Sequence, residues 1–171
     1  MQHQINKKIK FREGFRPFAP AVLLDQASNW FDLDCPSPYM TLVAGVKKQN
    51  EPGLVGTVAE RQGFEKLGFV KSPIPAATHV DGSSRLQTVD KVQNPLFYGL
   101  IDRFFQKTGC PILINTSFNI RGEPIVCSPA DSFKCFMETE MDILVMDRFL
   151  ITKSDKRFFS NNGICDSKQN S

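Results

Sequence analysis

Residues that usually hold metals are scarce in this sequence. Two histidines, His3 and His79, and five cysteines without a CxxC pair supply no zinc-type ligand spacing in its 171 residues. A resident metal is therefore not expected. Charge of one sign is also lacking, since 21 basic and 18 acidic residues leave a net charge of only +3. That is too slight to favour nucleic acid by bulk electrostatics. No apolar run approaches the length of a membrane span, and the polar start Met1-Gln2-His3-Gln4 has no signal-peptide core. Glycine-rich phosphate loops of the GxxxxGKS or GxGxxG kind are absent, so a nucleotide would have to be held by side chains and strand-end amides. The odd set Cys35, Cys110, Cys127, Cys135 and Cys165 reads as reduced, mostly buried thiols, and the expected compartment is the cytoplasm.

What is present is an ordinary globular composition, 41% hydrophobic and 23% charged, long enough to bury one core. The expected organisation is one domain over residues 1–152 and a polar tail over 153–171. Fifteen phenylalanines suggest a core rich in aromatic packing. Residues 17–23 read as an apolar strand, 25–31 as a short helix burying Leu23, Ala27, Trp30 and Phe31, and 39–46 as a second strand. Residues 47–73 read as a loop excursion. Asp81-Gly82 marks a hairpin turn with Arg85 at its mouth. The clearest helix runs from Pro95 to Thr108, capped by Asn94 and ended by Gly109, with Leu96, Phe97, Leu100, Ile101, Phe104 and Phe105 as its core stripe. A strand over Ile112–Ile114 precedes a second helix opened by Ser128, Pro129 and Asp131 and ending near Thr139. Strands at 143–146 and 149–151 follow, about a turn at Asp147-Arg148. Strands interleaved with helices predict an α/β (α+β) domain, a twisted mixed sheet with flanking helices.

The segment from Pro111 to Pro124 carries the most chemistry. An apolar run stops at Ile114 and is followed by Asn115, Thr116, Ser117, Asn119, Arg121 and Gly122. Hydroxyls, amides and a guanidinium at a strand end suit an anionic, nucleotide-like or acyl-phosphate ligand, and Gly122 would let the backbone approach it. A polar turn would look similar. The basic run Lys7-Lys8-Ile9-Lys10-Phe11-Arg12-Glu13-Gly14-Phe15-Arg16 leads straight into an apolar strand, which anchors it and can aim some cations into a site. Arg16 could instead pair with Asp81, and His79 reads as a turn histidine rather than a catalytic one.

Three segments, taken in order, resemble the C-terminal domain of NodU-like O-carbamoyltransferases: Lys10 to Pro20, Pro75 to Val89, and Gly109 to Asn119 with Gly122-Glu123-Pro124. The resemblance implies a YrdC-like fold that condenses carbamoyl phosphate with ATP, Mg²⁺ accompanying the nucleotide, to give carbamoyl adenylate and pyrophosphate. It implies Lys10, Arg16, Arg85 and Ser117 as the catalytic set. Asn115, Thr116, Ser117 and Arg121 are the expected binding residues. A Kae1-like partner would pass the carbamoyl group to a hydroxyl acceptor, since the family's upstream half is not in this sequence; a split subunit, a standalone product or a remnant would all look this way. The residue types suit the chemistry. Bringing phosphorylated anions together requires several converging Lys and Arg, and such transfers rest on positioning and charge stabilisation. Two other readings stand beside this one: an inactive nucleotide or acyl-phosphate binding module, and an RNA-binding YrdC-like domain.

Overall fold

The computed structural model describes residues 1–47 and 72–153. Most of the expected excursion (48–71) and of the polar tail (154–171), with Cys165, lies outside the described residues. The chain divides into two compact units, Met1–His3 with Gly14–Ser117 and Gln4–Glu13 with Phe118–Ser171. The division runs through helix α1 (Gln2–Lys8), which the polar sequence gave no sign of.

The first unit is built on a mixed four-stranded sheet, as the α+β expectation requires. Its strands are β1 (Ala19–Leu23), β2 (Leu42–Gly45), β3 (Ser83–Val89) and β4 (Ile112–Asn115), in the order β2-β3-β1-β4. β1 pairs parallel to β3 and antiparallel to β4, and β2 pairs antiparallel to β3. β1 is buried along its whole length, yet it contains Pro20. Leu23 donates its amide toward β4, to the Pro111 carbonyl. Alternation therefore turns the position of Pro20 toward β3, and the β1–β3 register begins only at Ala21. The proline's missing N–H falls on the β3 edge ahead of that register, where no donor is required of it.

Helices α2 (Leu24–Trp30) and α3 (Pro95–Thr108) cover opposite faces of this sheet. On one face Val22, Leu86, Ile112 and Ala44 pack with Ala27 and Phe31. On the other, Ala21, Leu23 and Val89 pack with Ile101 and, more peripherally, Phe97, Tyr98, Phe105 and Leu113. Leu23 thus lies on the face away from α2, because it still belongs to the strand. These cores are largely aliphatic rather than aromatic. Nor is the α3 stripe all core: Leu96 is 85% and Leu100 58% exposed, so the apolar arc is wider than the buried one. Asn94 caps α3 by accepting from the Phe97 amide, and Gly109 closes it at φ 73, a left-handed turn that only glycine adopts without strain.

The expected hairpin at Asp81-Gly82 is a turn without a preceding strand. His79 and Ser83 close it, and β3 takes its antiparallel partner from β2 instead. The second strand is also shorter than expected, with Tyr39 exposed ahead of it.

The second unit contains α4 (Pro129–Glu138) and the antiparallel pair β5 (Ile143–Met146) and β6 (Phe149–Thr152). Ser128 and Asp131 form a reciprocal capping box at the start of α4, which buries Cys135 and Phe136. Leu144 is the buried residue of β5.

Candidate functional site

In the first unit, strand alternation and register gather polar groups at one end of one sheet face. Side chains two apart on β3 share a face, so Arg85 and Gln87 lie on the side of Val89. Gln87 stands opposite Ala21, and Asn115 at the end of β4 stands opposite Ala19. Both β1 residues between them are alanines. With no bulk on β1, the two amides meet across it: Asn115 Nδ2 donates to Gln87 Oε1 at 2.7 Å. Gln87 Nε2 donates in turn to the Pro38 carbonyl at 3.0 Å. That carbonyl is itself held, because buried Ser37 donates its hydroxyl to Leu86 O and its amide to Thr88 Oγ1, and accepts from the Thr88 amide.

Arg85 is exposed on this face, and among the described residues its guanidinium makes no hydrogen bond or ion pair. Thr116 and Ser117 continue the chain past β4 and are exposed as well. Arg16 precedes β1 by three residues and is exposed, and Gln2 Nε2 donates to its carbonyl. The starts of β1 and β3 and the end of β4 coincide, so topology brings Arg16, Arg85, Asn115, Thr116 and Ser117 to one end of the sheet. An unpaired cation beside amide and hydroxyl groups can receive an anion bearing a polar acyl group. Asp81 does not hold Arg16. Its carboxylate accepts from the Ser83 hydroxyl and amide, which hold its pKa low, and His79 Nδ1 contacts the same hydroxyl.

Lys10 and Arg121 belong to the second unit. Lys10 is only 6% exposed, and its Nζ donates to Asn119 O at 2.9 Å and Asn119 Oδ1 at 2.7 Å. Asn119 Nδ2 donates onward to Glu123 O. Burial first, and then neighbouring Arg12, lowers the Lys10 pKa. These bonds staple the loop from Phe118 to Val126, a role that a reading of cations alone did not suggest. Arg121 sits 4.0 Å from Glu13, both largely exposed, so this pair adds little. Gly122 has φ 84, and nothing lies within 4 Å of where a Cβ would stand. It serves a left-handed turn with open space beside it.

Burial raises the pKa of Cys110 and Cys135, while Cys35 and Cys127 are exposed, so the described cysteines are less buried than expected. Among the described residues no helix is long and apolar enough to cross a membrane.

Gln87 was missed by sequence reasoning. Its signal was the spacing Arg85-x-Gln87, which places both on one face, but its partner Asn115 is revealed only by strand order.

Comparison with known proteins identifies the family. A protein of Synechocystis sp. described only as uncharacterized is 50% identical over 154 residues, covering 90% of this chain and 25% of its own. The nodulation protein NolO of Bradyrhizobium diazoefficiens is 39% identical, over 88% of this chain and 24% of its own. The 3'-hydroxymethylcephem-O-carbamoyltransferase of Streptomyces clavuligerus is 29% identical, over 81% and 23%. The chain thus spans about a quarter of the length of these relatives. The family model for the carbamoyltransferase C-terminus matches residues 1–153, and the chain belongs to that family.

Proposed function

We propose that this carbamoyltransferase C-terminal domain binds carbamoyl phosphate and ATP at the Arg85–Asn115 end of its sheet and forms carbamoyl adenylate. The balanced reaction consumes carbamoyl phosphate, water and ATP. Orthophosphate leaves the carbamoyl group, the carbamate oxygen bonds to the α-phosphorus of ATP, and pyrophosphate departs. Arg85 and Arg16 would neutralise phosphate charge, and Ser117 and Thr116 would hold the reacting group at the strand end. A Kae1-like polypeptide would then carry the carbamoyl group to a hydroxyl acceptor.

The observation that carries this reading is the Arg85 guanidinium, unpaired among the described residues, on the same face and at the same end as Asn115, two residues before Ser117. The residue types fit ATP and an acyl phosphate, which need cations and polar groups rather than a protein nucleophile. The basic run near the start does not read as an open RNA-binding face. Lys8 contacts Glu140, Arg12 donates to Asn6 and Lys10 is buried against Asn119. ATP–pyrophosphate exchange that depends on carbamoyl phosphate, and is lost in Arg85→Ala, tests the reading. Tight binding of both ligands without exchange would favour the inactive binding module.

A further inference from the structure

The polar chain Pro38–Gln87–Asn115 fixes which atom Asn115 can offer a ligand. A backbone carbonyl only accepts, so the Gln87 group facing Pro38 O must be its amino group. Its carbonyl oxygen then faces Asn115, which must meet it with Nδ2. Neither amide can be flipped without setting like against like. Asn115 Oδ1 accepts no hydrogen bond among the described residues, and no buried side-chain oxygen or nitrogen there lacks a partner, so Oδ1 remains accessible.

We propose that Gln87 is a positioning residue that turns Asn115 Oδ1 toward the ligand, selecting an acyl group with N–H donors over one of the same size without them. The inference rests on the carbamoyl phosphate reading. A carbamoyl NH₂ can donate to Oδ1; the methyl of an acetyl group of similar size would leave this acceptor unsatisfied. Gln87 touches no ligand in this account and acts through Asn115.

Calorimetric titration with carbamoyl phosphate and with acetyl phosphate tests it. The wild-type protein should prefer carbamoyl phosphate by about tenfold. In Gln87→Leu the Asn115 amide is released, and the preference should collapse while acetyl phosphate affinity stays the same. Gln87→Glu keeps an acceptor for Nδ2 but loses the donor to Pro38 O, so it should retain more of the ratio than Gln87→Leu without matching the wild type, even if its charge weakens both anions. By NMR, the Asn115 side-chain amide protons should be protected from exchange in the wild type, less so in Gln87→Glu, and unprotected in Gln87→Leu. Equal wild-type binding of both ligands, or an unchanged ratio in Gln87→Leu, overturns the inference alone. Failure of the wild type to bind either ligand overturns the proposed function and this inference with it. Should Gln87→Leu not fold, the wild-type ratio and amide protection still decide the matter.

Discussion

The sheet of the first unit is packed on both faces, whereas the β5–β6 pair of the second unit is packed on one. In the sheet, α2 and α3 bury opposite sets of side chains on strands that alternate between them. In the hairpin, Leu144 is buried while Ile143, Val145 and Leu150 are each more than half exposed. A two-stranded ribbon is marginal by itself, and polar bonds supply what its core does not. Buried Asn6 accepts from Arg12 Nε at 2.6 Å, Lys10 holds Asn119, Lys8 meets Glu140, and the Ser128–Asp131 box starts α4. The two units show two ways of stabilising a small structure, apolar burial in one and a web of specific hydrogen bonds in the other.

The largest effect that sharpens this contrast is expected from Leu86→Ala. It would leave a cavity where β3 meets α2 and cost about 2–5 kcal/mol in denaturant unfolding. A loss near zero would mean that the sheet core is not what holds the first unit. Arg85→Ala comes next, with a loss of about 1.5–3 kcal/mol in carbamoyl phosphate binding, roughly ten- to a hundredfold. Its melting temperature should not move, because the guanidinium pairs with nothing among the described residues; a lowered Tm would reassign Arg85 to structure.

In the second unit, Ser128→Ala should cost about 1 kcal/mol through loss of the cap. The same box should give an acid-sensitive contribution. Hydrogen bonds from the Ser128 side chain, and then from the Cys127 and Ser128 amides, lower the Asp131 pKa from its ordinary value of 3.8. A depressed carboxylate stabilises the fold above its unfolded-state value and loses that contribution as pH falls below 3.8 through the lowered one. Asp131→Asn should therefore flatten the acid limb of stability against pH. The smallest effect is expected from Ile143→Ala on the open hairpin face, within about 0.5 kcal/mol. A core-sized loss there would show that this face is covered in solution.

The parts of the fold legible in the sequence were those with local causes. Asn94, Pro95 and Gly109 bound α3, and Ser128, Pro129 and Asp131 open α4, because caps are written within four residues of the helix end. What required long-range pairing was not legible. The Asp81-Gly82 turn was visible, but the partner of β3 lies at residues 42–45, beyond any local signal. Helix α1 is polar except for Ile5, and its one buried residue is Asn6, so no apolar periodicity announced it. At the site, Arg85, Asn115 and Ser117 were readable as residue types. The bond that orients Asn115 was not, because it crosses a strand between two alanines. Lys10 was read as a ligand cation, and its burial against Asn119 depends on a contact 109 positions away.

The order of strands also bears on how the protein is made. β1 is synthesised before the other three, yet its neighbours in the sheet are β3 and β4. A fully apolar strand must therefore wait, with both edges open until the chain has grown past residue 89 and one edge open until it has passed residue 115. Non-local pairing of this kind slows folding and exposes the strand to other chains during synthesis. Pro20 interrupts the donors along one of those edges, so the nascent segment is a poorer template for a foreign strand than its hydrophobicity implies.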